Sequence, residues 1–260
     1  MPEIEPDPSV SPSGKIVYSR VLDLSRAIHP AMPIWPGDPP VQFETMARLE
    51  QDGYALRRFA MGEHTGTHLS APSSFYADGP TIDAYAAESL VVPAVVIDLR
   101  QMAQGKPDYA CSQRDLEEWE GRHGLIPGGS VVLANTGWGD KWEEPSKYLG
   151  KCPEQKSGPG HHSPVLHSPG LHFPGFSIDA ARFLLEQRGI AGLGIDTHGV
   201  DPGQDSGFAV SKLLLAQPRI VLANLSSLDH LPPTGTTLVI GILRLRGGSG
   251  SPASVIALIP

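Results

Sequence analysis

Short apolar runs between turn residues predict a chain built largely from β-strands. Apolar residues fill positions 91–99 almost continuously, which is typical of a strand buried on both faces, although Pro93 interrupts the run. Positions 54–61 alternate sufficiently to predict a strand that leads directly into His64. The full set of predicted strands covers residues 16–24, 54–61, 91–99, 131–134, 192–196, 220–225, 238–245 and 255–259.

Two helices are predicted from their capping residues. Ser112 and Asp115 form the pattern of a capping box ahead of a helix over residues 116–123. Ser177 takes the N-cap place of a helix over residues 178–187, and Gly189 stands at its C-cap. Helices and strands follow one another without a strict β-α-β repeat, so we expect one mixed α/β domain over residues 16–260.

Two segments lack this patterning. Residues 1–15 are rich in Pro, Ser and acidic side chains and predict a disordered tail. Residues 138–174 are dense in Pro, Gly, Ser, His and Lys and predict a long loop, a kind of segment that is often functional in compact domains. His161, His162 and His167 lie in this loop, either as solvated side chains or as additional imidazoles for a site elsewhere.

Composition narrows the classes of partner. The 260 residues carry a net charge of -8 and no basic block, which argues against nucleic acid or an anionic membrane as a partner. Cys111 and Cys152 are too few for a disulfide framework. The first residues hold no apolar signal region, and no apolar run approaches the length of a membrane span, so we expect a cytoplasmic protein.

The chemistry of the chain centres on His64-Thr-Gly-Thr-His68. The two histidines are four residues apart, but the glycine between them indicates a tight loop after a strand rather than a helix face. Two imidazoles held close together suit a divalent transition metal such as zinc or manganese. The same spacing also arises by chance, so the residues alone leave a metal site and an unrelated pair of histidines both open.

The segment HTGTHLSAPSSF resembles the signature of the cyclase family, which includes bacterial kynurenine formamidases and isatin hydrolases. The family pattern is His-x-Gly-Thr-His-x-Asp-x-Pro-x-His. The resemblance extends over nearly the whole chain after the tail, with further ordered matches at residues 33–38, 172–177, 194–197, 200–203 and 247–252. It implies a swivelling β/β/α-like fold, in which a mixed, partly barrel-like sheet is surrounded by outer helices, and it implies a homodimer.

The resemblance also assigns roles to particular residues. His64 and His68 take the places of the metal ligands, for zinc or manganese, and Trp35 takes the place of the tryptophan that lines the substrate pocket. His172 and Phe173 begin another matched segment and are expected to bind substrate. The family reaction that this implies is attack of a metal-activated water on an amide or lactam carbonyl of a small molecule.

At four positions the chain departs from the family pattern. Ser70 stands in place of the metal-binding Asp, and Ser74 in place of the acid/base His. Ser211 and Ala223 stand where another His and a Glu are usual. Because a hydroxyl is a poor metal ligand and does not relay protons as imidazole does, we expect an altered metal centre, with Ser70 and Ser74 at the catalytic positions.

Several alternatives stay open. Ser70 or Ser74 beside His64 or His68 would form a Ser–His pair, for which no third, orienting group is visible in the sequence. His198 is a further residue that could approach the site. The positions of Asp196 and Asp201 match structural aspartates of the family, and capping of loops is the simpler role for them.

The sequence therefore predicts an arylformamidase-like hydrolase or cyclase that acts on a small cyclic or aryl amide or lactam. A first alternative is a non-catalytic relative that binds small molecules and has lost the metal site. A second alternative is an ordinary metal-dependent formamidase whose missing ligands come from positions that the alignment does not pair.

Overall fold

The computed structural model describes residues 15–150 and 170–260. The predicted tail over residues 1–15, apart from Lys15, lies outside the described residues. So do Cys152 and the three loop histidines, His161, His162 and His167. In the described ranges, no helix has the length and apolar character needed to cross a membrane.

The described residues form twelve strands and six α-helices in a mixed order. The strands are β1 (Arg20–Asp23), β2 (Gln42–Ala47), β3 (Leu56–Ala60), β4 (His68–Ser70), β5 (Val91–Asp98), β6 (Ala110–Cys111), β7 (Val131–Asn135), β8 (Gly175–Phe176), β9 (Gly192–Ile195), β10 (Ile220–Ala223), β11 (Thr236–Ile242) and β12 (Gly250–Ile259). The α-helices are α1 (Leu49–Asp52), α2 (Arg100–Ala103), α3 (Gln113–His123), α4 (Pro145–Tyr148), α5 (Ile178–Arg188) and α6 (Ala209–Leu215).

One mixed sheet organises the domain. Its eight strands follow the order β1-β12-β11-β5-β7-β9-β10-β4, and β12 also pairs with β4. That last pairing closes seven of the strands into a barrel and leaves β1 attached to β12 outside the ring. Strands β5, β7, β9 and β10 run parallel, whereas the remaining pairs are antiparallel. The predicted single mixed α/β domain with a barrel-like sheet is confirmed.

The apolar runs are explained by burial of both faces of the sheet. In β7, Val131 and Leu133 belong to one core cluster, and Val132 and Ala134 belong to the other. Successive side chains of a strand point to opposite faces, so one face fills the barrel and the other receives the helices. Helices α3, α5 and α6 cover this outer face with side chains such as Trp119.

Most predicted elements are present with boundaries shifted by a few residues. Helix α3 begins at Gln113, immediately after the capping box of Ser112 and Asp115, in which the serine side chain accepts from the Asp115 backbone N–H. Gly189 ends α5 in the left-handed conformation. The long loop over residues 138–174 is interrupted by α4 within its described part.

Three elements differ from the sequence-based prediction. Strand β2 is partly exposed in a two-stranded hairpin with β3, so its apolar pattern is weak. Helix α6 is short and begins after Phe208, whose φ of 53° lies in the left-handed region. The second histidine of the motif was expected in a loop, but His68 is the first residue of β4.

Strand β9 depends on a close approach that only glycine allows. A Cβ on Gly192 would lie 1.9 Å from the carbonyl oxygen of Ile220, the residue paired with it on β10. In contrast, Gly121 lies on the exposed surface of α3 with nothing within 4 Å of such a Cβ. The two glycines therefore form a matched pair for substitution by alanine.

We expect Gly192→Ala to lower the free energy of unfolding by about 3 kcal/mol, because the added methyl group forces two strands apart. Gly121→Ala should raise it by about 0.5–1 kcal/mol, because alanine loses less backbone entropy in a helix. Urea unfolding followed by circular dichroism measures both changes. Equal stability of the two variants would contradict the strand packing described here.

Candidate functional site

A cavity of about 380 Å³ opens beside β4 and collects nearly all of the predicted site residues. Its lining includes Trp35, His64, His68, Ser70, Ser74 and Phe173. It also contains residues for which the sequence predicted no part in the site, namely Asp38, Phe75, Asp205 and Phe208. A volume of this size is in the range of pockets that bind small molecules.

The histidine loop is held by hydrogen bonds at its central glycine. Gly66 has a φ of 63°, and its carbonyl oxygen accepts from Asn224 Nδ2 at 2.7 Å. The same oxygen lies 2.9 Å from His68 Nδ1, which must carry the hydrogen to make this contact. The lone pair of the buried His68 ring is therefore on Nε2.

The backbone of Asn224 also holds the histidine loop. The hydroxyl of Thr67 donates to the Asn224 carbonyl at 2.7 Å and accepts from the backbone N–H of Arg26 at 2.9 Å. The Asn224 N–H donates to the carbonyl of Thr197 at 2.8 Å. Asn224 follows β10 and Thr197 follows β9, so the ends of two parallel strands position the histidines.

The ring of His64 is fixed from the opposite side by the chain that enters β12. A Cβ on Gly250 would lie 2.6 Å from His64 Cε1, so the ring packs directly on the backbone there. His64 Nε2 lies 3.1 Å from the hydroxyl of Ser249, and Nδ1 lies 3.4 Å from the hydroxyl of Ser70. Glu63 Oε2 accepts from the Ser249 backbone N–H at 2.8 Å and from its hydroxyl at 2.7 Å.

Burial keeps both imidazoles uncharged near neutral pH. Burial, together with the nearby His64, lowers the pKa of His68 to about 3. Burial also lowers the pKa of His64, against the opposing effect of the carboxylates of Asp38 and Glu63. Because neutral imidazole has one free lone pair, each ring is available as a base or a ligand.

Aromatic side chains form the apolar walls of the cavity. Trp35 lies edge-on to Phe173 with ring centroids 6.2 Å apart, and its ring is 6.1 Å from that of Phe208. The rings of Phe75 and Phe208 are 5.6 Å apart. His198 also lines the cavity, with its ring 5.8 Å from Trp35. Such walls favour a flat aromatic ligand, because aromatic rings pack against one another edge to face or with an offset.

Two of the four positions that differ from the family pattern are Ser211, which has a structural role, and Ala223, which has no polar side chain. Ser211 donates its hydroxyl to Asp201, which also accepts from the backbone N–H groups of Val210 at 2.7 Å and Ser211 at 3.2 Å. Asp201 thus holds the beginning of α6, and burial raises its pKa against these hydrogen bonds. Ala223 lines the cavity opposite His68 and has no side-chain donor or acceptor.

Asp196 has a comparable structural role. Its carboxylate accepts from the backbone N–H and the hydroxyl of Thr136, at 3.0 and 2.6 Å, and from the Gly139 N–H at 3.3 Å. These contacts hold the chain that follows β7. Loop capping, the simpler role considered for Asp196 and Asp201, agrees with the bonds of both residues.

Unlike Ser70, neither Ser74 nor His172 has its polar group directed at the imidazole of His64. The Ser74 hydroxyl reaches the cavity but donates to the carbonyl of Ser249 at 2.7 Å. His172 was expected to line the pocket together with Phe173, but it is not among the described residues of the lining. Its Nδ1 lies 2.8 Å from Asp108, so the imidazole is held away from the cavity while the adjacent phenyl ring faces it.

The side chains present do not fit the three-ligand site of a catalytic metal. The imidazoles of His64 and His68 offer one neutral lone pair each, from rings whose centroids are 5.1 Å apart, and Ser70 adds only a hydroxyl. Over residues 15–150 and 170–260, no group of three His, Cys, Asp or Glu side chains is arranged to hold a metal ion. Catalytic zinc usually has about three protein ligands, commonly including a carboxylate or thiolate where histidines are few.

Comparison with known proteins places this geometry in a family. The model of the family described as "Putative cyclase" matches residues 22–202. Isatin hydrolase from Roseibium aggregatum is 31% identical over 95% of this chain and 94% of its own length. Kynurenine formamidase from Bacillus cereus is 26% identical over 92% of this chain and 97% of its own length.

Solved structures agree with these matches. Isatin hydrolase A from Ralstonia solanacearum superposes with a TM-score of 0.83 at 31% identity, over 93% of this chain and 92% of that one. An isatin hydrolase bound to the product analogue thioisatinate gives a TM-score of 0.81 at 29% identity, over 92% of each chain. A structure described as a potential metal-dependent hydrolase with cyclase activity shares the fold, with a TM-score of 0.64 at 24% identity and coverage of 92% and 96%.

The chain belongs to the cyclase family and is a hydrolase-type member close to isatin hydrolases and kynurenine formamidases. Residues that sequence reasoning missed include Glu63 and Ser249. Both lie beside or within matched motifs, but they are 186 positions apart and only the closure of the barrel brings them together.

The position of the histidine loop should depend on Asn224. We expect Asn224→Ala to lower the free energy of unfolding by about 2–4 kcal/mol, because the Gly66 carbonyl loses a donor and alanine is strained at a φ of 57°. Asn224→Gly should be about 1 kcal/mol less destabilising, because glycine removes only the strain. Thermal and urea unfolding measure this difference, and a glycine variant no more stable than the alanine variant would contradict the backbone argument.

Proposed function

We propose that this protein hydrolyses the amide bond of a small aromatic lactam or N-acyl arylamine. One observation carries the proposal: a neutral imidazole and a serine hydroxyl lie at one end of an aromatic-walled cavity of about 380 Å³. The names of relatives with comparable length, isatin hydrolase and kynurenine formamidase, describe amide substrates that carry an aromatic ring. The cavity is large enough for one such molecule.

The cavity supplies the groups that amide hydrolysis needs. Trp35, Phe173 and Phe208 surround an aromatic ring, and this burial orients the substrate. The lone pair of His64 Nδ1 accepts a proton during attack on the carbonyl and returns it to the leaving nitrogen. Ser70 and Ser74 are the proposed catalytic serines, and Ser70 is the one that faces an imidazole.

We further propose that the metal centre of this chain is altered rather than conserved. Zinc or manganese, which the family resemblance implies, would be bound by His64 and His68. The hydroxyl of Ser70 in place of a carboxylate removes both a strong ligand and a negative charge from that set. Catalysis is therefore assigned to groups of the protein itself.

A homodimer is the proposed assembly. The hairpin of β2 and β3 exposes a group of large apolar side chains, namely Met46, Tyr54, Leu56 and Phe59. Exposed apolar clusters on a small domain commonly mark contact surfaces, and a second copy of the chain is the partner that the family resemblance implies. The cytoplasm stays the expected compartment.

Turnover of a panel of isatin-type lactams and N-formyl arylamines, followed by chromatography of the acid or amine product, tests the activity. We expect Trp35→Ala to raise KM about tenfold or more, since losing an aromatic wall costs about 1.4 kcal/mol of binding. Trp35→Phe should retain most of the affinity. Tyr18→Ala, which removes an exposed ring, should alter neither KM nor kcat. Binding without turnover across the panel would instead favour a non-catalytic binding protein.

Metal content tests the altered centre. Purified without a metal-binding tag, the protein should contain far less than one zinc or manganese per chain by mass spectrometry, whereas Ser70→Asp should raise the content toward one. The added carboxylate completes a set of two imidazoles and one carboxylate beside the cavity. One tightly held equivalent in the unaltered protein, removed by His64→Ala and His68→Ala, would contradict this prediction.

A further inference from the structure

We propose that Ser70 is a covalent nucleophile and that Glu63 and Ser249 position its base, His64. The inference rests on the proposed amide hydrolysis, and it names the group that attacks the carbonyl. It is carried by an ordered series of hydrogen bonds from Glu63 through Ser249 and His64 to Ser70. In this series, Ser70 and His64 are the residues that face the cavity.

The direction of each hydrogen bond follows from the number of hydrogens that each group carries. An ionised carboxylate only accepts, so the Ser249 hydroxyl, at 2.7 Å from Glu63 Oε2, must donate to it. That hydroxyl has then used its single hydrogen, and it accepts from His64 Nε2 at 3.1 Å. His64 Nε2 therefore carries the proton, which leaves the lone pair on Nδ1, the atom that faces Ser70.

The assignment of these donors and acceptors depends on Glu63 being ionised. Glu63 Oε2 accepts two hydrogen bonds, from the Ser249 backbone N–H at 2.8 Å and from the Ser249 hydroxyl at 2.7 Å, and such donors favour the ionised carboxylate. The imidazole thus has an orienting carboxylate, linked through one serine hydroxyl. The arrangement serves the same purpose as the third member of a Ser–His–acid triad, which holds the base in the productive tautomer.

The strand pairing makes this series rigid. Ser70 is paired with Gly250 between β4 and β12, directly after Ser249. Ala71 donates its N–H to the Ser249 carbonyl at 2.8 Å. The Ser70 hydroxyl and His64 Nδ1 are 3.4 Å apart, and in substrate-free sites such contacts are commonly long and tighten when substrate binds.

Ser74 is the competing nucleophile, and its bonds argue against that role. Its hydroxyl donates to the Ser249 carbonyl at 2.7 Å, so its hydrogen is directed to a backbone acceptor rather than to an imidazole. Ser74 supports the segment that carries Ser249. Ser70 is the serine whose hydroxyl hydrogen has a base within reach.

The chemical steps balance with water as the only co-reactant. Ser70 Oγ bonds to the amide carbonyl carbon while its proton moves to His64 Nδ1. The C–N bond then breaks, and the leaving nitrogen takes that proton, which yields an ester on Ser70. Water attacks the ester carbonyl and gives a proton to His64 Nδ1. The ester C–O bond breaks, Ser70 Oγ recovers the proton, and the carboxylic acid is released.

A fluorophosphonate probe tests the nucleophile without any assumption about substrate. Attack by Ser70 would form an O–P bond and expel fluoride, and intact-mass and peptide mass spectrometry locate the adduct. We expect one adduct on Ser70 in the unaltered protein, none in Ser70→Ala, and unchanged labelling in Ser73→Ala. The Ser73 hydroxyl bonds to the Gly248 carbonyl of the same segment, which makes it the matched control. No adduct, or an adduct on another residue, would overturn the proposal even if Ser70→Ala fails to fold.

Variants at Ser249 and Glu63 test the positioning role. Ser249→Ala and Glu63→Ala should slow labelling about tenfold or more, whereas Ser249→Thr should restore most of the rate, because threonine keeps the hydroxyl. Nitrogen-15 NMR of the His64 ring should show the proton on Nε2 in the unaltered protein and a mixture of tautomers in Ser249→Ala. Unchanged labelling rates and an unchanged tautomer in Ser249→Ala would overturn the positioning role.

Two results separate this inference from the proposed function. If the unaltered protein hydrolyses an amide of the panel and the folded Ser70→Ala variant retains that rate, the nucleophile is wrong and the proposed function stands. If the probe labels Ser70 but no amide is hydrolysed, the nucleophile stands and the proposed function is wrong. Burst release of amine in rapid-quench experiments, lost in Ser70→Ala, supports both.

Discussion

The hydrogen bonds that β4 makes on both of its edges are the interactions on which the rest of this protein depends. His68 and Leu69 pair with β10 on one side, His68 to Ser70 pair with β12 on the other, and these pairs close the barrel. A short strand in this position has no free edge, so its backbone groups are satisfied and its register is set by both neighbours. The same strand carries the second histidine and the serine of the site, so closure of the fold and assembly of the cavity are one event.

The chemistry of the cavity follows from the side chains that this closure brings together. The two imidazoles are uncharged because they are buried, and they carry their hydrogen on different ring nitrogens. His68 donates its Nδ1 hydrogen to the carbonyl oxygen of Gly66, whereas His64 donates its Nε2 hydrogen to the hydroxyl oxygen of Ser249. The family resemblance implies a carboxylate where Ser70 stands, whereas the structure has a hydroxyl there beside an imidazole, an arrangement that suits the proposed nucleophile better than a metal ligand.

Much of the fold was predictable because the local signals are strong. The continuous apolar run predicts β5 to within one residue, and the capping box predicts α3 with the correct end but a start three residues too late. Burial on two faces and N-terminal capping each constrain a few adjacent positions. Helix α6 was missed because its beginning is held by Asp201, through bonds to Val210 and Ser211 across an intervening turn. Strand β2 was missed because an exposed hairpin has little apolar alternation to detect.

By itself, the sequence determined the family and the mixed α/β class, because ordered motifs around His64, Phe173 and the late glycine-rich segment survive in linear order. It also predicted many of the residues that line the cavity. The family resemblance further implies that Ser70 stands in place of a carboxylate. Only the tertiary structure decided that Ser249 and Glu63 meet at His64, that His172 is held by Asp108, and that Ser211 serves Asp201. The physical reason is that hydrogen-bond partners far apart in the chain become neighbours only through strand pairing, and the direction of each bond depends on atoms that no local pattern specifies.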